Sequence, residues 1–234
     1  MPFRAIPGFT DSHYLCLMGT VEFLSSDRIL ISSHVITYGD LADNLITERI
    51  RNEIEKMWNE PQGIISVDDK NFRLSFKISS EYKPHIDPEE IMANDNPLNN
   101  YFRIAEKAHG NISFVDGLGC NTGYFQLDNV YEGSTTAAHE YGHSLGLDHP
   151  THLDIRGKGR PGIMYPRGTL VDSEFQYNPA ATLGEPGHTM HPMHRRVLQS
   201  DIELLRIHRL EFNNNIAVIG DFSSVWHPDH RDFV

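Results

Sequence analysis

Residues 139–149 of the chain read His139-Glu140-Tyr141-Gly142-His143-Ser144-Leu145-Gly146-Leu147-Asp148-His149. On an α-helix, residues four positions apart lie one turn apart on the same face, so His139 and His143 can reach one metal ion. A third ligand at His149 could not reach that ion if the helix continued. Gly146 removes this difficulty, because glycine can adopt a positive φ, end the helix and let the chain turn back beneath the metal. The stretch therefore predicts a metal site formed by His139, His143 and His149.

This ligand set predicts a catalytic zinc ion. Three imidazoles leave one coordination position open, whereas structural zinc sites are closed by four protein ligands. Glu140 stands beside His139, where it can act as general base toward a zinc-bound water and then return the proton to the leaving amine as general acid. We therefore expect one catalytic Zn²⁺ and hydrolysis of peptide bonds in protein substrates. No sequence typical of structural calcium or of a second zinc ion is evident upstream of the helix.

Two other functions are compatible with the three histidines. A catalytically inert zinc-binding interaction module would keep the ligands but would have no need of a carboxylate at Glu140. A zinc hydrolase acting on a non-peptide amide would share the whole site. A short His-Glu-x-x-His match also occurs by chance. Here the longer pattern fixes five positions on a predicted helix that ends at the required glycine, which favours the catalytic interpretation.

Composition excludes several classes of protein. The length of 234 residues suits a single domain. With 20 basic and 32 acidic residues the net charge is −12, which argues against a nucleic-acid partner. No apolar run approaches the ~20 residues that span a bilayer, so no membrane span is expected. The first 24 residues show no basic segment followed by an unbroken apolar run, so no secretory signal is expected either. Export by a route without a signal, or origin as a trimmed domain of a longer secreted protein, is favoured over residence in the cytosol.

Two further sets of residues leave alternatives open. Cys16 and Cys120 fit no metal motif, and either one bridge or two free thiols is compatible with them. His188, His191 and His194 could form a second metal site, although an exposed histidine-rich loop is the favoured interpretation.

Hydrophobic periodicity predicts a mixture of strands and helices. Alternating or β-branched runs predict two hairpins, three further short strands and a strand near the end of the chain: residues 13–24 with 28–38, 64–67 with 72–79, then 101–105, 111–116, 123–127 and 216–219. Apolar residues at helical spacing predict helices over 40–58, 134–145 and from 200 to about 210. Ser134 or Thr135 can cap the second helix, and Ser200 with Glu203 forms a capping box for the third. Residues 84–100 and 148–193 are predicted to be loops.

Three segments resemble the matrixins, the matrix-metalloproteinase branch of the metzincin zinc peptidases. The stretch from Ala137 to His149 is similar to their zinc-binding helix. Gly162-Ile163-Met164-Tyr165-Pro166 resembles their Met-turn, whose methionine lies beneath the metal. Residues 200–203 resemble the start of their C-terminal helix. The match runs from about residue 123 to 210.

The resemblance implies an α+β, zincin-like fold. It implies a twisted mixed β-sheet with an antiparallel edge strand and two backing helices within residues 1–149. A smaller irregular lobe with the Met-turn and a C-terminal helix would follow over residues 150–234. A polypeptide substrate would lie along an edge strand between Asn111 and Leu127, and residues after Met164 would wall the S1′ pocket. Gly146, Met164 and Tyr165 would support the site.

Some features depart from the matrixin pattern. The spacing between His149 and Met164 is longer than is usual in matrixins, and no pro-segment with a cysteine-switch motif is seen. The stretch from Tyr165 to Arg196 is similar to metallopeptidase toxin domains of bacterial polymorphic toxins. That similarity implies delivery as a toxin or effector and restraint by an inhibitory immunity protein.

Overall fold

The computed structural model describes residues 19–106 and 112–228. Within them the chain forms an α+β fold, as predicted, with a mixed sheet and four α-helices. The strands are β1 (Thr20–Ser25), β2 (Arg28–Tyr38), β3 (Ile64–Val67), β4 (Lys70–Tyr82), β5 (Asn99–Ala105), β6 (Phe114–Val115), β7 (Thr122–Gln126) and β8 (Ile216–Val218). The helices are α1 (Asn44–Asn59), α2 (Pro88–Met92), α3 (Thr136–Ser144) and α4 (Gln199–Leu204).

The sheet is organised around the long strand β2. The strand β4 pairs with β2 in parallel along one edge. On the other edge, β1 pairs with the first half of β2 in antiparallel orientation, and β5 pairs with the second half in parallel. The order continues from β5 through the parallel β7 to the antiparallel β6, which forms the edge of the sheet. The predicted strand near the end of the chain, β8, pairs with β1.

The helix α1 covers the sheet with one apolar face. Ile46, Ile50 and Ile54 recur at helical spacing and are buried in the main core. The predicted start at residue 40 is wrong, because Asp43 takes the N-cap position. Its carboxylate accepts a hydrogen bond of 2.7 Å from the Ile46 amide, which satisfies one of the unpaired donors of the first turn. The helix therefore begins at Asn44.

Two loop and helix predictions also need correction. Residues 84–100 are not all loop: the short helix α2 begins behind Asp87, whose carboxylate accepts from the Glu89 amide at 2.9 Å. The helix α4 ends at Leu204 instead of continuing to residue 210. Its capping carboxylate is Asp201, which accepts from the Leu198 amide at 2.8 Å, so the predicted pair of residues 200 and 203 is displaced by two positions. The chain then turns through Arg206 at φ 50°.

Other predicted boundaries shift by smaller amounts. The strand expected over 111–116 is reduced to β6, and Asn111 lies outside the described residues. Residues 13–18 of the first predicted hairpin also lie outside them. The region predicted to be irregular after residue 148 has no α-helix or long strand up to α4. It builds a small core of its own from Ile155, Val171, Phe175 and Met190.

The helix α3 is fixed beneath the sheet by α1 and β2. The indole nitrogen of Trp58 on α1 donates to the carbonyl of Ala138 at 3.1 Å. The hydroxyls of Tyr141 on α3 and Ser33 on β2 share a buried hydrogen bond of 2.8 Å. These cross-links join elements far apart in the chain and hold the predicted metal ligands in place. None of the helices in residues 19–106 and 112–228 is long and apolar enough to cross a membrane.

Candidate metal centre and cleft

The helix α3 ends as the sequence predicts. Gly146 adopts a φ of 89°, a conformation that residues with a Cβ rarely take. The amide of Gly146 donates to the His143 carbonyl at 2.9 Å, and the amide of Leu147 donates to the Gly142 carbonyl at 3.0 Å. These bonds close the last turn and redirect the chain, so that His149 returns to the face of α3 that carries the other two histidines.

The Nε2 atoms of the three histidines converge. Nε2 of His149 lies 3.1 Å from Nε2 of His139 and 3.0 Å from Nε2 of His143. Among the described residues, these three form the one group of three or more His, Cys, Asp or Glu side chains whose ligand atoms lie within 4.8 Å of one another. Four tetrahedral ligands about 2.0–2.1 Å from zinc would be roughly 3.3 Å apart. The observed spacing is therefore close to that of a shared ion.

Hydrogen bonds at Nδ1 fix two of the imidazoles with Nε2 facing inward. Nδ1 of His139 donates to the carbonyl of Ile163 at 2.7 Å, and Nδ1 of His143 donates to the carbonyl of Leu147 at 2.7 Å. A carbonyl only accepts, so each Nδ1 carries the proton and each Nε2 carries a lone pair. This is the usual support of a metal-binding histidine, in which the second nitrogen is held by a carbonyl or carboxylate.

The protonation of the cluster suits a cation. Burial lowers the pKa of His139 well below its ordinary value, and burial also lowers the pKa of His143 and His149. All three imidazoles are therefore neutral at neutral pH. Nε2 of His149 carries one proton at most, and it can point this proton at only one of the two neighbouring Nε2 atoms. In at least one of the two close Nε2 pairs, lone pairs therefore face each other. A cation placed between the nitrogens would turn this repulsion into attraction, and the donor set therefore fits a metal ion.

Glu140 lies beside the cluster in the position predicted for the general base. Its side chain is buried, with 6% of the residue exposed, and it lines the same cleft as the three histidines. No described residue gives it a hydrogen bond. Burial raises its pKa to about 8, against the opposing effect of the Arg195 and Arg167 guanidinium groups. Since Glu140 lines the cleft without such a hydrogen bond, its carboxyl group is available to a ligand there.

The cleft has a volume of about 600 Å³. It is lined by the edge strand β6 with the neighbouring residues 117 and 118, and by residues 166–168. The three histidines and Glu140 line the same cleft. Gly123 on β7 lets β6 approach closely, since a Cβ there would come within 2.5 Å of the Phe114 carbonyl oxygen. The structure thus brings the predicted edge strand and the segment after Met164 to the same cleft as the histidine cluster.

Thr135 occupies the N-cap position of α3, as one of the two predicted residues. Its side chain does not cap the helix, because its hydroxyl donates to the Pro192 carbonyl at 2.8 Å. The hydroxyl of Ser134 donates to Glu53 on α1 at 2.6 Å, and the other oxygen of Glu53 accepts from the Ala138 amide at 3.1 Å. Glu53 therefore accepts one of the unpaired backbone amides at the start of the helix that carries His139 and His143. The sequence did not predict this role, because Glu53 lies more than 80 positions away and only the packing of α1 on α3 joins them.

The segment predicted to resemble a Met-turn contacts both α3 and α4. The carbonyl of Ile163 accepts from His139, while its amide donates to the Asp201 carboxylate at 3.3 Å. Met164 is fully buried. Tyr165 packs against the small core of the irregular region. The segment therefore lies directly behind one of the three histidines.

Arg195 is a functional candidate that the sequence did not single out. Only 4% of the residue is exposed, yet it lines the cleft together with Glu140 and Arg167. Its Nε donates to the Thr135 hydroxyl at 3.0 Å, and its Nη1 donates to the Tyr165 carbonyl at 3.2 Å. It thus bridges the start of α3 and the wall after Met164. A lone arginine in a loop carries no local pattern that would have predicted its burial.

The remaining candidates stay apart from this site. His188, His191 and His194 do not meet as a metal-binding group within the described residues. The rings of His191 and His194 lie 5.9 Å apart, and His191 packs on Tyr177. Cys120 is partly buried, while Cys16 lies outside the described residues. A second histidine metal site therefore has no support, and the choice between a bridge and free thiols stays open.

No protein-family model matches the chain, and no curated protein matches it. The resemblance to matrixins therefore stays a prediction drawn from the motifs around residues 137–149 and 162–166. The structural observations that bear on the function are the convergence of the three histidines and the presence of Glu140 in the same cleft.

Proposed function

We propose that the protein is a zinc-dependent endopeptidase of the metzincin type, similar to the matrixins, which hydrolyses peptide bonds within protein substrates. One observation carries the proposal. Three neutral imidazoles converge on one point with a carboxylate, Glu140, adjacent to them and open to a cleft. A module that only binds zinc would not need that carboxylate in the cleft.

The residues of the chain divide the chemistry between them. His139, His143 and His149 would hold zinc, which would polarise the substrate carbonyl and make attack by water feasible near neutral pH. The carbonyls of Ile163 and Leu147 keep two of these rings oriented. Glu140 takes the proton of the attacking water and releases it to the nitrogen of the departing amine. Its pKa of about 8 lies close to neutral pH, which suits a group that both takes up and gives up a proton.

The cleft supports a polypeptide as the substrate. β6 is the edge strand of the sheet within the described residues, so an extended peptide can pair with its outer side by strand addition. The carbonyl of such a peptide would then pass the histidine cluster, because β6 and the cluster line the same cleft. A small non-peptide amide would leave most of this length unused.

The proposal is tested by metal analysis and digestion of an unfolded protein mixture. Wild type, Glu140→Ala and the exposed-residue control Glu174→Ala should each carry one zinc. Wild type and the control should cleave internal bonds, whereas Glu140→Ala should lose at least about a hundredfold in kcat with KM little changed. Equal cleavage by wild type and Glu140→Ala would refute Glu140 as the general base, and zinc binding without cleavage by any variant would identify an inert zinc-binding module.

A further inference from the structure

Arg195 places a buried positive charge at the floor of the cleft without a bonded counter-charge. No carboxylate among the described residues forms an ion pair with it, and its two hydrogen bonds go to the neutral groups of Thr135 and Tyr165. A buried charge without a paired ion is unfavourable, and such charges are normally paired or bound to a ligand. The guanidinium has five N–H donors, of which these two bonds use two. Donors therefore remain for a group that enters the cleft.

The charged groups around Arg195 are compatible with binding of an anion in the cleft. Glu53 is the second acidic group whose field reaches Arg195, besides Glu140. Both oxygens of Glu53 are already engaged by Ser134 and Ala138 on the start of α3. Arg167 stands at the exposed rim of the same cleft, where it donates to the Asn129 side chain at 2.9 Å. Two guanidinium groups thus face one cleft from floor and rim.

The position of Arg195 indicates which part of a substrate it would meet. Glu140 hands its proton to the departing amine, so the residue that carries this amine lies on the Glu140 side of the histidine cluster. Arg195 and Arg167 lie near Glu140, because the charge of each lowers the pKa of Glu140 and both line the same cleft. A side chain on the departing residue can therefore reach the guanidinium groups.

We propose that this part of the cleft is a carboxylate-binding subsite that selects an acidic residue, Asp or Glu, directly after the scissile bond, with Arg195 at its floor and Arg167 at its rim. The inference rests on the proposed peptidase function. A planar guanidinium binds a carboxylate through two parallel hydrogen bonds, which gives both charge and geometric selectivity. A terminal carboxylate of the substrate has the same chemistry, so the two sources are separated in the test.

The test begins with the zinc-loaded protein and an unbiased peptide mixture. Asp and Glu should be enriched immediately after the cleaved bonds. Amide-capped peptide pairs that differ by Glu against Gln at this position should then show at least a tenfold difference in kcat/KM, expressed mainly in KM. Peptides with a free carboxyl end at the same position reveal whether the terminal group can take the subsite. Selection of neither kind of carboxylate overturns the proposal.

Variants locate the selectivity. Arg195→Met and Arg167→Gln should each reduce the preference for Glu over Gln, while Arg195→Lys should retain part of it. Arg196→Gln is the matched control, because Arg196 is the next residue but does not line this cleft. If the preference for Glu over Gln survives both Arg195→Met and Arg167→Gln, other residues produce it and the proposed subsite is wrong. If Arg195→Met does not fold, Arg167→Gln and the peptide pairs on wild type still decide the outcome.

Binding separates the subsite from the peptidase activity. Zinc-loaded Glu140→Ala is titrated with fluorescent versions of the Glu and Gln peptides, and the Glu peptide should bind at least tenfold more tightly. If wild type cleaves nothing while this binding preference is present, the peptidase proposal fails, and what stands is carboxylate binding in the cleft without a role in cleavage. If cleavage occurs without any acidic preference, the peptidase proposal stands and the subsite fails. Equal or undetectable binding of the two peptides also counts against the subsite.

Discussion

The sulfur of Met164 lies directly against the backbone of Gly142, one residue before the ligand His143. A Cβ added at Gly142 would overlap this sulfur and come within 3.2 Å of the Trp58 ring. Position 142 is inside α3, where glycine is intrinsically unfavourable. The close approach of Met164 and Trp58 gives the physical reason for a glycine there.

Gly142→Ala should therefore destabilise the protein in spite of the better helix propensity of alanine. Overpacking of this kind typically costs about 1–3 kcal/mol. Urea unfolding of wild type and variant measures the change. The double variant Gly142→Ala, Met164→Ala should be less destabilised than the sum of the single changes, because the overlap disappears. Simple additivity would show that the two residues do not share the contact described.

Met164→Leu tests whether Met164 acts by packing alone. The substitution nearly conserves side-chain volume, so we expect it to cost less than about 1.5 kcal/mol. Zinc content and activity should stay close to wild type. Complete loss of zinc from a variant that otherwise remains folded would show that residues 162–166 are not a Met-turn.

Metal binding should depend on the histidines and not on the carboxylate. The purified protein should contain one zinc per chain, and His143→Ala should lose it because two imidazoles remain. Glu140→Ala should keep it. His188→Ala is the control from the histidine-rich loop and should bind zinc as wild type does. Two equivalents of zinc that both resist mild chelation would contradict a single site.

Glu53 should make stability depend on pH. Burial raises its pKa from 4.5 to about 7 in the folded protein. The folded protein then holds a proton that the unfolded chain releases, so the free energy of unfolding contributed by Glu53 falls as pH rises from 4.5 through 7. Glu53→Gln cannot ionise, and it should gain roughly 1–3 kcal/mol relative to wild type between pH 5 and pH 8.

Urea unfolding in the presence of a chelator measures this difference without a contribution from zinc affinity. The exposed Glu48 on the same helix supplies the control, since Glu48→Gln should show no comparable trend. If the difference in unfolding free energy between wild type and Glu53→Gln stays constant with pH, Glu53 is ionised throughout this range. Its hydrogen bonds to the start of α3 would then be made by a charged carboxylate.

The sequence alone predicted those parts of the protein that neighbouring residues control. The spacing of His139, His143 and Gly146 predicted a helix that ends in a left-handed turn, because helix periodicity and glycine φ are local properties. The strands β2, β3 and β4 and the apolar face of α1 followed from their alternation and helical spacing in the same way. The convergence of His149 on the other two ligands was predictable for this reason.

Tertiary structure decided what depends on residues distant in the chain. Asp43 and Asp201 fixed helix boundaries through capping bonds that compete with other polar residues nearby. Glu53 capped the metal-binding helix, and Arg195 became a buried charge beside Glu140, because packing of α1, α3 and the irregular region brings them there. Burial and its effect on a charge exist only once that packing has formed. No local sequence pattern encodes them, so the histidine cluster could be predicted from the sequence, whereas the buried charge of Arg195 in the cleft could not.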